Sequence, residues 1–397
     1  MKFIHTGDWH IGKIINEFSM LEEQRFVLKQ LVELIAAEKP DALLIAGDLY
    51  DRSIPPVEAV ELIDDVFSKI LLELKVPILV IGGNHDSGER ISFCSSILTK
   101  NGLHIVGTLS KEIKKIQLKD EFGAVNFYMV PYSDPREAKS IFEDDSLTTH
   151  EQVMLKIIEN IKQDIAFHGY DRNIMIAHGY VSNIKGSSSE DDSAEGPVTC
   201  DSERPLSIGG TDIIDASIFD AFNYTALGHL HGSQKIKSDK IRYSGSLLKY
   251  SFSEVKHKKS AAIVTLDNIG NVNVVLKELT PKRDMRIIKG PLKELLKPEV
   301  YSLGNTEDYI FAQLTDEGEL VDPMQKLRSV YPNAMGLSRE GQAAHSQSST
   351  SASKGYKDKS KLELFCEFYK SVKGSDLSPE KLYIVTNIIE KVEKMVR

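Results

Sequence analysis

Thiols are scarce in this chain: three cysteines, Cys94, Cys200 and Cys366, lie far apart in 397 residues. An odd and scattered set argues against a disulfide framework or a thiolate metal site, and for a reducing, cytoplasmic setting. Long apolar runs are missing too. None approaches the roughly 18 residues that span a bilayer, so no membrane association is expected. The first residues carry one lysine and then a strand-like run, which is not a signal-peptide pattern. No GxxxxGK[ST] stretch occurs, so any ATP dependence must come from another polypeptide. Positive charge is in deficit, with 49 Lys and Arg against 58 Asp and Glu, net −9. Binding to a polyanion would therefore have to rest on a local basic stretch and on bound cations. With 41% apolar and 27% charged residues, the composition is that of an ordinary globular chain. Its length suggests two or three domains.

What the chain does have is a repeated device, clearest in Pro77 to Asp86, PILVIGGNHD. Ile78 to Ile81 read as a short buried strand bounded by Pro and Gly. Gly82 and Gly83 turn the chain and deliver Asn84, His85 and Asp86 to the rim of a sheet, where α/β proteins place their sites. The pattern recurs four times. Lys2 to Thr6 lead into Gly7-Asp8-Trp9-His10, and Ala42 to Ala46 into Gly47-Asp48-Leu49-Tyr50-Asp51-Arg52. Ile174 to Ala177 lead into His178, and Tyr224 to Leu227 into Gly228-His229-Leu230-His231.

Between these strands, Met20 to Lys39 and Val57 to Lys75 carry apolar residues at helical spacing, each stopped by a proline. The N-terminal 80 or so residues thus read as βαβαβ, with right-handed crossovers that cover the sheet with helices. Val125 to Val130 is a further strand candidate and Glu151 to Phe167 a further helix. Residues 185–212, rich in Ser, Gly and acid, read as a long loop, a length that is usually functional or disordered. Strands at Ile241 to Ser244, Ala261 to Leu266 and Val272 to Leu276 are expected to be antiparallel and to complete a second sheet.

Residues 281–335 read as a small α+β unit: strands near Met285 to Ile288 and at Tyr309 to Leu314, helices at Pro291 to Leu296 and Pro323 to Val330. Residues 336–360 have linker composition. Residues 361–397 are expected to form two amphipathic helices. The second places Leu382, Val385, Ile389, Val392 and Val396 on one seam.

The strand ends assemble a ligand set of Asp8, His10, Asp48, Asn84, His178, His229 and His231. Asp-x-His on an extended segment puts both side chains on one face, as does His229 with His231. Nitrogen and oxygen donors without thiolate suit manganese, iron, zinc or magnesium at a hydrolytic centre. Seven ligands are too many for one ion with an open position; they suit two divalent ions bridged by a carboxylate, about 3.5–4 Å apart. A single histidine of this kind is more often a core or surface residue, but five of the 11 histidines fall in these motifs.

A second feature is charge. Residues 235–297 hold 15 Lys and Arg against 6 Asp and Glu. Lys235, Lys237, Lys256, Lys258 and Lys259 would then line a DNA track beside the GHLH motif, or else belong to a solvated basic face.

DxH, GDxxDR, GNHD, a strand-end His and GHxH, in this order, resemble the calcineurin-like metallophosphoesterases. HTGDWHIG, AGDLYDRSIPP, GGNHDS, SERPLSIGGT, ALGHLH and YSGSLLKYSFSE resemble, more narrowly, the SbcD family of bacterial nuclease subunits, densely over residues 1–280. The resemblance implies a four-layer β-sandwich flanked by helices, with a small α+β capping domain and C-terminal partner-binding helices. It implies that Asp8, His10, Asp48 and His231 hold one ion and Asp48, Asn84, His178 and His229 the other. His85 would then be no ligand but a general acid for the departing oxygen, with the Asp51 carboxylate orienting it. Relatives often carry His where Asp51 stands; Asp51-Arg52 is what phosphoprotein phosphatases carry. Arg52 would bind substrate phosphate or pair with a surface acid. The resemblance further implies two manganese ions, exonuclease and endonuclease action on DNA ends and hairpins in replication, recombination and repair, a dimer, and the coiled-coil ATPase SbcC as partner. A phosphoprotein or nucleotide phosphatase and a non-catalytic docking subunit are the rival readings.

Overall fold

The computed structural model describes residues 1–169, 172–183, 197–203, 206 and 212–339, and, in the C-terminal stretch, residues 362, 365, 366, 369, 378, 381, 382, 384–386, 388 and 389. Two compact units divide the chain: Met1–Arg286 with Glu307–Tyr309, and Ile287–Thr306 with Ile310–Arg397.

The first unit is a sandwich of two sheets. Its strands, in chain order, are β1 (Lys2–Thr6), β2 (Ala42–Ala46), β3 (Ile78–Ile81), β4 (Leu103–Val106), β5 (Lys114–Asp120), β6 (Gly123–Val130), β7 (Asn173–His178), β8 (Tyr224–Gly228), β9 (Gln234–Ile236), β10 (Ser238–Tyr243), β11 (Ser260–Leu266) and β12 (Val272–Glu278). Among the described residues one sheet runs β12-β11-β1-β2-β3-β4 and the other β9-β10-β8-β7-β6-β5. β1 to β4 are parallel, as are β6, β7, β8 and β10.

The facing sides of the sheets interdigitate. Phe3, Leu44, Ala46, Leu79 and Ile81 meet Phe127, Met129, Ile174, Ile176, Tyr224 and Ala226 in one buried cluster. Phe3 packs edge-on against Phe127 and Tyr224, each 5.7 Å away between ring centres. Each such side chain contributes roughly 1.5–3 kcal/mol by leaving water. The outer positions Ile4, Leu43, Ile45 and Val80 are fully buried as well. Strands covered on both faces read as continuous apolar runs rather than alternating ones, which is why these were visible in the sequence. α1 (Leu21–Glu38) and α2 (Val57–Ser68) bury one stripe each. On the second sheet, α3 (Pro135–Phe142) and α4 (His150–His168) share a cluster with Tyr128, Met175 and Ala177. A reciprocal cap between Thr149 and Gln152 starts α4.

Four expectations need correction. The helix predicted to Lys75 ends at Ser68 and widens into one π-helical turn, Lys69–Glu73. The late strands do not form a second sheet together: β11 and β12 add antiparallel to β1 in the first sheet, while β10 lies in the second. β4, β5 and α3 were not foreseen; β5, KKIQLKD, is an edge strand with one buried side chain and so lacks an apolar run. β13 (Met285–Gly290), β14 (Tyr309–Leu314) and β15 (Ala334–Arg339) form a three-stranded sheet, which from Ile287 and Ile310 onward belongs to the second unit. β15 pairs parallel with β14 through Gly336, Leu337, Ser338 and Arg339, so the first residues assigned to the linker are strand. The rest of that linker lies outside the described residues. The unit's core includes Leu292, Leu295, Ile310, Ala312, Leu314, Leu327 and Tyr331. Of the two C-terminal helices, the described residues Leu362, Phe365, Cys366, Tyr369, Lys381, Leu382, 384–386, Ile388 and Ile389 are helical.

Candidate metal centre

Parallel neighbours end on the same edge of a sheet, and both sheets of the sandwich use that edge. Asp8 and His10 follow β1, Asp48 follows β2, and Asn84 and His85 follow β3; His178 ends β7, and His229 and His231 follow β8. Close approach of the two sheets is a condition of this. A Cβ on Gly228 would collide with the Ala46 carbonyl oxygen, and one on Gly83 with the Asp48 carboxylate. The backbone is left-handed at Asp8, His10, Asp48 and His229, with φ of 53°, 47°, 51° and 114°. Non-glycine residues adopt this region rarely, and it clusters at functional sites.

Two groups of donor atoms converge. Asp8, His10 and His231 form one and Asp8, Asp48 and His178 the other. Asp48 Oδ2 lies 3.6 Å from Nε2 of both His10 and His178, so it sits between the groups. Asn84 joins through its Oδ1, 2.9 Å from His178 Nε2. His229 stacks edge-on to His178, 5.5 Å between ring centres, and its backbone N–H donates to Asp8 Oδ1 at 2.8 Å. No group of three mutually close donors includes His229 among the described residues.

Counting protons shows what this cluster lacks. His178 Nδ1 faces the Ala46 carbonyl oxygen at 2.9 Å, which can only accept, so Nδ1 carries the hydrogen and Nε2 a bare lone pair. That lone pair points at the Asn84 oxygen, another acceptor. His10 Nε2 and His231 Nε2 face each other at 3.1 Å. Asp8 Oδ2 and His10 Nδ1 are buried without a hydrogen-bond partner. Burial pushes the Asp8 carboxyl well above its usual range, with the Asp48 charge adding to it, and raises Asp48 to about 6. Burial also drives His178 and His231 down to about 4 and His10 and His229 well below their usual value, so all four are neutral imidazoles near pH 7. Bare acceptors and neutral imidazoles crowded out of water need cations between them. The donors fit divalent ions.

His85 is half-buried beside this cluster, its ring edge-on to His10 at 4.7 Å. Its Nδ1 donates to the main-chain oxygen of Asp51 at 2.8 Å. The expectation that the Asp51 carboxylate orients His85 is therefore corrected: the carbonyl does so. The carboxylate is held instead by Lys13 Nζ at 2.7 Å, and lies 3.6 Å from His10 Nδ1. Asp86, last of the GNHD run, accepts from the backbone N–H groups of Leu49, Tyr50 and Gly83 and so ties two ligand-bearing loops together.

The lysines behave unevenly. Lys235 and Lys237 are exposed and pair with Asp239 and Asp220; Lys256 and Lys258 are exposed. Arg52 is exposed, 4.0 Å from Asp51. Lys259 is only 5% exposed, and its ammonium donates to Glu254, Ser246 and the His231 carbonyl. It cannot reach a phosphate, and its place in the DNA track is corrected: charge counting along a sequence does not see burial. Most of the neighbouring basic residues, Arg242, Lys249, Lys277, Lys282, Arg283 and Arg286 among them, are ion-paired.

Sequence reasoning missed the residues behind the ligands. Tyr250 donates to the Trp9 carbonyl and stacks edge-on to His10 and His231; Gln24 donates to the His10 carbonyl. Ser202, Glu203 and Glu254 surround His231. Four of these five lie in the SERP and YSFSE segments, whose distinct wording was the available signal. The loop reading of 185–212 falls largely outside the described residues.

Two family models match the chain. A family model described as calcineurin-like phosphoesterase matches residues 1–233. A second, SbcD_C, described as the type 5 capsule protein repressor C-terminal domain, matches residues 281–373. Among solved structures, the calcineurin-like phosphoesterase YfkN from Bacillus subtilis is 12% identical, over 70% of this chain and 92% of its own, at TM-score 0.35. A dimetal phosphatase from Danio rerio is 11% identical, over 70% and 98%, at TM-score 0.37. The chain belongs to the calcineurin-like phosphoesterases, and joins to that domain the C-terminal domain of SbcD-like nuclease subunits.

Proposed function

We propose that the chain is the nuclease subunit of an SbcCD-type complex, hydrolysing DNA phosphodiester bonds with two manganese ions. The observation that carries this reading is the pairing of a bare-acceptor centre with an SbcD-type C-terminal domain in one polypeptide. Asp8, His10, Asp48 and His231 would hold one ion, and Asp48, Asn84, His178 and His229 the other. When bound, the ions supply positive charge to the phosphoryl oxygens and acidify an attacking water. The chain's own residues do the rest. His85, with Nδ1–H pinned to the Asp51 carbonyl, presents Nε2 to the departing 3′ oxygen and, when protonated, gives it a proton. Lys13 Nζ pairs with the Asp51 carboxylate at 2.7 Å beside that ring. The exposed Lys235, Lys237, Lys256 and Lys258 would take backbone phosphates, and residues 361–397 would dock on the coiled-coil ATPase.

Arg52, exposed next to the centre, favours one rival, hydrolysis of a terminal phosphate. Purified chain with manganese, offered a DNA hairpin and a chromogenic phosphomonoester, separates the readings. Metal-dependent cleavage of the hairpin is expected; turnover of the monoester alone would overturn the nuclease reading.

A further inference from the structure

His231 is gripped on three sides, and two of the grips come from a segment far away in the chain. Its backbone N–H donates to Glu203 Oε1 at 2.7 Å, and its carbonyl accepts from Lys259 Nζ at 2.9 Å. Its ring Nδ1 lies 2.8 Å from Ser202 Oγ. The serine hydroxyl in turn lies 2.5 Å from Glu254 Oε1. A serine has one hydrogen. Glu254 is a buried carboxylate in contact with the Lys259 ammonium, so it is an acceptor and takes that hydrogen. Ser202 Oγ is left with only lone pairs toward the imidazole, and His231 Nδ1 must donate. The Nε2 lone pair then faces His10 and the centre.

The segment that brings Ser202 there is stapled along its length. Gln234 holds both the N–H and the carbonyl of Val198, at 3.0 and 2.9 Å, and Ser253 Oγ accepts from Asp201 N–H at 3.0 Å. Glu203 also accepts from Cys200 N–H at 2.9 Å.

We propose that Ser202 is a positioning residue of the metal centre: its hydroxyl passes the Glu254 charge to His231 and fixes the tautomer that leaves Nε2 free for a divalent cation. This rests on the reading that ions occupy the centre. It extends that reading by making the segment 198–203 part of the cation site. Outer partners of metal-bound imidazoles typically change metal affinity by about 10- to 100-fold when lost. The fold should tolerate the loss, because Glu254 Oε1 keeps donors from Tyr250 N–H and Ser251 Oγ.

The test compares wild type, Ser202→Ala and Ser202→Thr in the full chain. Nitrogen chemical shifts of the histidines in metal-free protein should show His231 as the Nδ1–H form in wild type and Ser202→Thr. In Ser202→Ala that form should give way to a mixture. Manganese titration should show one of two sites weakened about 10- to 100-fold in Ser202→Ala, the other unmoved, and recovery in Ser202→Thr. Unchanged tautomer and affinities in a folded Ser202→Ala protein would overturn the proposal. Absence of manganese binding by wild type would overturn the metal reading instead, while the tautomer measurement would still judge Ser202.

Discussion

His178 and His231 belong to different donor groups of the centre, and their tautomers are set by different means. His178 has its tautomer set by a main-chain carbonyl, Ala46 O, at the end of a strand in the facing sheet. His231 relies on a hydroxyl and a carboxylate borrowed from the segment 198–203 and from Glu254. The first arrangement is a by-product of the sandwich and no single side-chain change removes it. The second can be edited one atom at a time. Asp48, equidistant from His10 and His178, is where the halves meet.

Removing that meeting point should give the largest effect. Asp48→Ala is expected to release both ions and lower turnover by more than about 10³-fold. Elemental analysis checks it, and two retained ions would show that the halves do not share Asp48. His85→Gln should leave both halves loaded yet cut cleavage by about 10² to 10⁴-fold; loss of an ion would make His85 a ligand.

Lys259→Met acts on the His231 half alone. It strands Glu254, and breaking a buried pair costs about 3–5 kcal/mol, so a clear fall in Tm is expected. Lys258→Glu next to it should leave Tm unchanged. It should weaken DNA binding, with the log–log salt slope falling by about one per lost phosphate contact. Equal Tm values for the two variants would contradict the burial difference.

The smallest effect is a matter of pH. Unfolded imidazoles protonate near 6.5, whereas burial holds His178 and His231 near 4 in the fold. Between those values the unfolded chain binds the extra protons. The imidazoles' contribution to stability should therefore be lost as pH falls from 6.5 toward 4, and bound manganese should deepen the dependence. The raised Asp8 and Asp48 carboxyls take up protons in the fold over the same range and oppose it, so the check is nitrogen shifts of His178 and His231 across this window: titration of both near 6.5 would show the imidazoles to be solvated.

The two halves also differ in how far sequence reading reached. Candidate donors at strand ends were legible because a doubly covered strand is a continuous apolar run and the polar residues after it stand out. This picked out Asp8, His10, Asp48, Asn84, His178, His229 and His231, which the fold brings to one edge of the sandwich. What holds those ligands was not legible. Ser202 meets His231 across 29 residues, and Lys259 looks like any surface lysine until its burial is seen. The same limit put β11 and β12 in the wrong sheet: Phe3 pairs with Val264 from the far end of the domain, and such partners leave no local signature. Asp51 was placed next to His85 correctly, but whether the carbonyl or the carboxylate faces the ring depends on Lys13.

Four of the ligand positions carry left-handed backbone under an Asp or His side chain. Such residues are held there at a cost of order 1–3 kcal/mol each, which glycine does not incur. Catalysis and robustness therefore pull these codons in opposite directions. In a lineage relieved of phosphoester cleavage, Asp8, His10, Asp48 and His229 would be the first places to drift, and glycine the favoured destination. A homologue with glycine at these four sites and an intact sandwich would be a scaffold that had given up its ions.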